Sequence, residues 1–223
     1  MRINELVGVK HLGKASVTDI LDQLSNSNWK HLGSGGRAFV VSRSTDKVVK
    51  FWIQDEAYER FLNYIAAHPS EHFPRILSTP RTIKNFSNSG HQYPMLKYVV
   101  IERLQPLEGR QAYDVESLGN LLREVFNIRL SLTDTDFEAK LFQAMQRHGE
   151  WWEENGQEVI ARCLGMLRVL VELKRNLPNN TQLDLYRDNF MMRGSTMVLT
   201  DPFIDTNGPN NDLEQEIKNN LDF

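Results

Sequence analysis

Three side chains with oxygen ligand atoms lie close together near the C-terminal end of the sequence. Asp184 and Asn189 are five residues apart, and Asp201 follows the apolar run at residues 197–199. A carboxylate can orient or deprotonate a hydroxyl group, and an Asn with a second Asp can share a Mg²⁺ ion, which prefers oxygen ligands. Asp and Asn also cap ordinary polar turns, so the spacing alone leaves both interpretations open.

A glycine-rich segment at residues 32–36 (Leu-Gly-Ser-Gly-Gly) stands where two strand-like runs, 29–34 and 38–42, meet. Lys50 follows Val48-Val49 on the next predicted strand. Glycines between two strands let backbone N–H groups approach phosphate oxygens. A lysine inside an apolar strand is expected to have a partner or a ligand, because burial of an unpaired ammonium group is costly. The alternatives are a flexible hairpin turn and an edge-strand lysine in water.

The hydrophobic pattern predicts the elements that position these residues. The N-terminal half is mostly strands, with a polar loop at residues 84–92. Its predicted elements are the strands 29–34, 38–42, 47–52, 73–77 and 98–102 and a helix over 55–67, with Ala57, Tyr58, Phe61, Leu62 and Ile65 on one face.

The C-terminal half has helical periodicity followed by one hairpin. The predicted elements there are helices over 114–132, 137–147 and 157–175 and a hairpin of residues 190–192 and 197–199. The sequence therefore predicts an α+β chain. Its predicted parts are an extension with one helix (1–28), a β-rich lobe (29–104), an α-rich lobe (105–206) and an acidic tail (207–223).

Composition excludes several classes of protein. The 223 residues carry a formal net charge of -3, which argues against direct nucleic-acid binding through counterion release. The single cysteine, Cys163, excludes an internal disulfide framework and a Cys-based zinc site. The sequence shows no signal-peptide pattern and no run of about 18 apolar residues. We therefore expect a soluble, cytoplasmic protein without a membrane partner.

Taken in order, the motifs resemble those of the protein-kinase-like superfamily. Gly33, Gly35 and Val40 match the pattern G-x-G-x-x-G-x-V, with Ala38 at the third glycine. Residues 48–50 (Val-Val-Lys) are similar to the V-A-I-K strand.

The resemblance continues in the second half of the chain and covers residues 29–205. Residues 99–104 look like the fifth strand and the hinge, Asp184 and Asn189 have the D-x-x-x-x-N spacing, and residues 201–203 (Asp-Pro-Phe) stand where D-F-G belongs. Within the superfamily the sequence is most similar to the small atypical Ser/Thr kinases of bacteriophages.

The resemblance implies a two-lobed kinase-like fold that binds ATP and Mg²⁺. It implies that Asp184 accepts or aims a hydroxyl proton and that Asn189 and Asp201 bind Mg²⁺. Glu59 is favoured slightly over Glu56 as the acidic partner of Lys50, because it lies a turn further into the helix. The nucleotide-binding residues that it implies are Gly33, Gly35, Gly36, Val40, Val48, Lys50, Glu59, Glu102 and Leu104.

The sequence departs from the kinase pattern in four places. Residues 182–184 (Gln-Leu-Asp) lack the usual His-Arg, and Tyr186 replaces a common lysine, so that Arg187 is the candidate for the positive charge near the phosphate. Pro202 replaces the Phe of D-F-G. Because only 20 residues follow Phe203, we expect neither an activation segment nor late C-lobe helices.

These features favour ATP- and Mg²⁺-dependent phosphoryl transfer to Ser/Thr of protein partners in the cytoplasm of a bacterial host, with autophosphorylation as an option. The alternative is a nucleotide-binding pseudokinase that binds and inhibits a host protein. Transfer to a small molecule is less favoured, because Gln182-Leu183 lacks the His and Gly typical of such enzymes, and transfer of AMP also stays open. The sequence does not set the oligomeric state.

Overall fold

The computed structural model describes residues 24, 28–35, 38–53, 55–82, 87–88, 91–92, 96–127, 139–140, 143, 146–147, 157–176 and 181–205. These residues divide into two units. Within the described part, the first unit draws on residues 1–55 and 75–103, and the second on residues 56–74 and 104–206. Strands and helices are both present, so the predicted α+β class is confirmed. No helix in the described segments is long and apolar enough to cross a bilayer.

In its described residues, the first unit contains an antiparallel sheet of the strands β1 (Lys30–Gly35), β2 (Ala38–Ser42), β3 (Lys47–Ile53), β4 (Arg81–Thr82) and β7 (Leu96–Glu102). Their order in the sheet is β1-β2-β3-β7-β4. A separate short hairpin is formed by β5 (Ser87–Asn88) and β6 (His91–Gln92). The strands predicted over 29–34, 38–42, 47–52 and 98–102 are confirmed to within two residues at each end.

The two faces of this sheet differ in chemistry. On one face the rings of Phe39 and Phe51 stack with centroids 4.7 Å apart, and Tyr98 lies 5.8 Å from Phe51. Side chains alternate between faces along a strand, so Lys50 belongs to the other face, together with its cross-strand partners Val40 and Val99. The aromatic face holds much of the core of the unit, and the opposite face carries the lysine.

The turn between β2 and β3 is held by polar groups. The Ser42 hydroxyl donates to the carbonyls of Ser44 and Lys47 at 2.7 and 2.8 Å. The Ser44 hydroxyl donates to the carboxylate of Asp46, whose backbone carbonyl accepts from the Arg103 N–H at 2.9 Å. The Arg103 guanidinium also donates to the Ser44 carbonyl at 3.0 Å. The end of β7 is therefore fastened to this turn.

In its described residues, the second unit combines helices with small antiparallel sheets. The elements are α1 (Glu56–Ala67), β8 (Gln105–Pro106), α2 (Gly109–Asn127), α3 (Gln157–Arg175), β9 (Thr181–Leu183), a 3-10 helix (Arg187–Asn189), β10 (Phe190–Arg193), β11 (Thr196–Leu199) and β12 (Phe203–Asp205). The strands are ordered β11-β10-β8 in one sheet and β12-β9 in the other.

Helix α1 buries the predicted face against its own unit. The five apolar residues expected on that face are all buried, and α1 packs on β12. The ring of Phe73 contacts Phe61 edge-on at 5.6 Å and Tyr64 at 6.3 Å. Burial, together with the charge and the hydrogen bond of Glu172 on α3, raises the pKa of Tyr64 to about 12. Aromatic packing and one phenol–carboxylate contact thus join α1 to the rest of the unit.

Helix α3 and the β10–β11 hairpin have the predicted positions, and several other predictions are corrected. The strand predicted over 73–77 is only an isolated bridge between Ile76 and Ile101, because Pro74 has no N–H to offer a ladder. Helix α2 begins five residues before the predicted Asp114, since residues 110–112 (Arg-Gln-Ala) are good helix formers. The loop predicted over 84–92 contains β5 and β6, whose polar residues lack apolar alternation.

Some predictions concern residues that the structure does not describe. These are most of the N-terminal extension, most of the helix over 137–147 and the tail over 207–223. The predicted division into lobes at 29–104 and 105–206 stays a prediction, and we note that α1 and residues 68–74 belong to the second unit.

Arg193 fastens the segment after α1 to the β10–β11 hairpin. Its guanidinium donates to the carbonyls of Glu71 and Phe73, both at 2.7 Å. We expect Arg193→Ala to lower the free energy of unfolding by about 2–3 kcal/mol, because hydrogen bonds from a charged donor are lost and two carbonyls lose their partner. Urea denaturation measures the change.

The matched control is Arg60→Ala, which removes an exposed ion pair with Glu56 at 3.8 Å. Surface pairs of this kind contribute little, so this change should stay within about 0.5 kcal/mol. Equal losses in the two variants would contradict the structural role of Arg193.

Asp46 provides a pH-dependent test of the β2–β3 turn. The hydroxyl of Ser44, and then the backbone N–H of Asp46, favour the charged carboxylate and lower its pKa below the ordinary value of 3.8. The stabilisation is therefore present above that ordinary value and is lost as the pH falls through the lowered pKa of the folded state. In Ser44→Ala we expect the Asp46 pKa to rise toward 3.8 in an NMR titration. An unchanged titration would show that Ser44 does not hold the carboxylate.

Candidate active site

Pairing of β9 with β12 brings the first and last of the three candidate oxygen residues close together. Leu183 is opposite Phe203 in this pair, and the N–H of Asp184 donates to the Pro202 carbonyl at 2.8 Å. Asp184 therefore stands beside the segment that contains Asp201. Both side chains are half-buried.

Asn189 is tied to the same loop by its side chain and its backbone. Its Nδ2 donates to the carbonyl of Asp184 at 2.7 Å, and its N–H donates to the carbonyl of Tyr186 at 2.9 Å. Its own carbonyl accepts from Thr200, from the N–H at 2.9 Å and from the hydroxyl at 3.1 Å. Because Thr200 precedes Asp201, the structure brings Asp184, Asn189 and Asp201 together within one unit.

The donor set at this loop suits Mg²⁺. The amide nitrogen of Asn189 is used by the Asp184 carbonyl, so the amide oxygen Oδ1 is the branch directed away from that carbonyl. An amide oxygen and the carboxylate of Asp201 are hard oxygen ligands of the kind that Mg²⁺ takes. In the described part of the chain, no group of three His, Cys, Asp or Glu side chains could hold a metal ion. An ion at Asn189 and Asp201 would therefore complete its shell with water and phosphate oxygens.

Arg187 has a structural contact in this unit. Its guanidinium donates to the carbonyl of Leu107 at 3.3 Å, just before α2, whereas the neighbouring Tyr186 is 64% exposed. The contact connects the 3-10 helix to the start of α2. The role of Arg187 beside a transferred phosphate stays a prediction.

The first unit carries the glycine loop and the lysine. Gly33 is opposite Val40 and Gly35 is opposite Ala38 at the end of the β1–β2 hairpin, with an irregularity in the register between His31 and Gly33. A Cβ added to Gly33 would meet open space, so packing does not require a glycine there. Gly36 lies outside the described residues. The pairing of the two strands of the predicted hairpin is thus confirmed, and phosphate binding by its glycine-rich segment stays a prediction.

Lys50 is only 7% exposed, in the middle of the sheet. It is paired across the ladder with Val40 on β2 and Val99 on β7, and Val48 lies two residues before it on the same face. The edge-strand alternative for this lysine is therefore wrong. Three residues that the resemblance implies for the nucleotide, Val40, Val48 and Lys50, share one face of the sheet.

The residues around the predicted hinge are fixed by backbone contacts. The N–H of Glu102 donates to the Arg75 carbonyl at 3.1 Å, and its carboxylate accepts from the Arg75 N–H at 2.7 Å. Leu104, in the other unit, is half-buried. Adenine recognition by Glu102 and Leu104 stays a prediction.

The two acidic candidates on α1 differ in environment. Glu56 is exposed and pairs with Arg60 on the surface of the helix, whereas Glu59 is half-buried. The preference for Glu59 over Glu56 as the partner of Lys50 stays a prediction.

Sequence patterns did not indicate the strands that join the three oxygen residues. β9 and β12 have three residues each, which is too short for an alternation to be read. No sequence pattern predicted a role for Thr200, although its N–H and its hydroxyl both donate to the Asn189 carbonyl. The sequence feature that could have indicated this role is its position between an apolar strand and Asp201.

Comparison with known proteins gives structural likenesses only. No family model and no curated protein matches the sequence. The solved structures that match include a GDP complex of an aminoglycoside 2'-phosphotransferase (13% identity, 79% of this chain and 67% of that chain, TM-score 0.32). They also include a microcompartment-associated aminopropanol kinase (16% identity, 83% of this chain and 69% of that chain, TM-score 0.35). A third is an ADP-bound aminoglycoside phosphotransferase (13% identity, 79% of this chain and 67% of that chain, TM-score 0.31). At these TM-scores the likeness carries no argument about this chain.

The side-chain bond of Asn189 can be tested by itself. We expect Asn189→Ala to lower the free energy of unfolding by about 1–2 kcal/mol, because the half-buried Asp184 carbonyl loses its donor. Asn176→Ala is the matched control, since the Asn176 amide also donates to a carbonyl, that of Glu172 at 2.8 Å, but is exposed. Chemical denaturation should show a clearly smaller loss for Asn176→Ala, and the reverse order would refute the described loop.

Proposed function

We propose that this protein is an ATP- and Mg²⁺-dependent phosphotransferase that acts on Ser and Thr hydroxyls of protein partners. The observation that carries the proposal is the hydrogen bond from Asn189 Nδ2 to the Asp184 carbonyl, together with the two bonds from Thr200 to Asn189. These bonds keep a carboxylate, an amide oxygen and a second carboxylate on one loop assembly. Phosphoryl transfer needs this combination, a group that aims the attacking hydroxyl and oxygen ligands for the metal.

The second unit would carry the reacting groups. Asp184 would accept the proton of the acceptor hydroxyl, or orient that hydroxyl for attack. Asn189 Oδ1 and the Asp201 carboxylate would hold Mg²⁺, which when bound offsets negative charge on the phosphates. The backbone bonds of residues 184–189 hold the main chain of this loop, which would reduce the reorganisation that the reaction needs.

The first unit would bind the nucleotide. Lys50 is a buried cation on one sheet face, and an ammonium group there suits the phosphates of ATP. Val40 and Val48 give the same face an apolar surface for the adenine ring, and Gly33 and Gly35 border the turn at the end of the hairpin. The choice of proteins as phosphate acceptors rests on the sequence resemblance to small bacteriophage kinases. The expectation of a target in the host cytoplasm rests on the same resemblance.

Transfer from labelled ATP in the presence of Mg²⁺ tests this proposal. The acceptors are the protein itself, degenerate Ser/Thr peptides and a bacterial lysate, with kanamycin and aminopropanol as small hydroxyl compounds. We expect label on proteins, and we expect Asp184→Ala to lower the rate by roughly 10²–10⁴-fold because the proton acceptor is lost. Lys50→Ala should weaken ATP binding measured by calorimetry.

Two neighbours serve as matched controls. Asp188→Ala alters an exposed carboxylate in the same loop, and Lys47→Ala removes a lysine from the same strand as Lys50. Both should keep the rate and the ATP affinity of the wild type. ATP–Mg²⁺ binding without transfer to any acceptor would replace the proposal by the pseudokinase alternative. Label on the small compounds alone would indicate a small-molecule phosphotransferase instead. A mass increase of AMP on proteins would indicate transfer of AMP instead of phosphate.

A further inference from the structure

Helix α2 carries a glycine where a helix interior does not favour one. Gly119 is buried in the middle of α2 (Gly109–Asn127), next to the fully buried Leu118. A glycine there is less favourable than an alanine, because it loses more backbone freedom on folding. The absence of a side chain at this position therefore needs an explanation in packing or function.

The space beside Gly119 is filled by the backbone of Leu185, which belongs to the candidate catalytic loop, residues 184–189. A Cβ at this position would overlap the carbonyl oxygen of Leu185 and would lie 3.6 Å from its carbonyl carbon. The obstacle is main chain, which cannot swing aside as the end of a long side chain does. Leu185 is itself 1% exposed, so this contact lies in the interior of the unit.

The residues next to Leu185 transmit any shift to the site. Asp184 precedes it and bonds Asn189 Nδ2 through its carbonyl, and Tyr186 follows it and accepts from the Asn189 N–H. A displacement of the Leu185 carbonyl therefore moves both ends of the segment that holds Asn189.

From these contacts we infer that Gly119 is a positioning residue for the catalytic loop. Its lack of a side chain sets the depth at which Leu185 docks on α2, and through Leu185 the positions of Asp184 and Asn189. The catalytic consequence rests on the proposed function, whereas the positioning itself does not.

The test compares Gly119→Ala with Gly165→Ala. Gly165 lies on α3, where the nearest atoms to an added Cβ belong to the His72 ring, with Nε2 at 2.7 Å, and not to residues 184–189. His72 is held through Nδ1 by the Met197 carbonyl at 3.0 Å, so this substitution also disturbs packing. Both variants exchange a helical glycine for alanine against a close neighbour, and only one of them touches the loop.

The activity-independent measurement is the NMR signal of the Asn189 side-chain amide. We expect Gly119→Ala to shift this signal and those of the Leu185 and Tyr186 amides, while Gly165→Ala leaves them in place. Unshifted loop signals in a folded Gly119→Ala would overturn the inference. If Gly119→Ala fails to fold while Gly165→Ala folds, Gly119 serves stability instead, and the inference is overturned as well.

The catalytic measurement is kcat and KM for ATP, at a temperature where each variant is fully folded. Small misplacements of reacting groups cost up to about 10²-fold, so we expect kcat of Gly119→Ala to fall by roughly 10–100-fold with KM for ATP little changed. Gly165→Ala should keep kcat. If the wild-type protein shows no turnover, the proposed function is refuted. The NMR measurement then decides the role of Gly119 by itself.

Discussion

The short antiparallel pairing of β9 with β12 is the constraint on which the candidate active site depends. It contains only three residue pairs, and it is continued by the bond from the Asp184 N–H to the Pro202 carbonyl. Two chain segments that are separated by residues 184–202 become neighbours in this way. The side-chain amide of Asn189 then links back to the Asp184 carbonyl, so that one side-chain amide and several backbone groups carry the loop geometry. Preorganisation of this kind is what electrostatic catalysis requires.

The sheet of the first unit shows a comparable division of tasks. One face is packed by aromatic rings, led by the stacked Phe39 and Phe51. Lys50 lies on the opposite face of the central strand, where it is buried and is paired across the ladder with Val40 and Val99 on the adjoining strands. A cation in such a place is retained more readily for its interactions than for stability, because its desolvation is unfavourable.

Sequence patterns predicted the long elements well and the short ones poorly. The face of α1 and the limits of α3 followed from the 3.6-residue period, and Lys50 was placed on its strand by the apolar run around it. β9, β12 and β8 have two or three residues, so neither period applies to them. The close approach of Gly119 to Leu185 was equally hidden, because it joins positions far apart in the chain and depends on an absent side chain. The candidate residues were thus predicted from spacing, but the bonds that hold them were not.

The attachment of α1 has a mechanical consequence. Three kinds of contact act on it at once, namely its apolar face on β12, the ring of Phe73 between Phe61 and Tyr64, and the phenol of Tyr64 on Glu172. A rotation of the helix about its own axis would have to break all three together. Rigid displacement along with α3 leaves the phenol–carboxylate contact intact, and a swing of α1 alone does not. A displacement of α1 that keeps the phenol–carboxylate contact would therefore move α1 and α3 together.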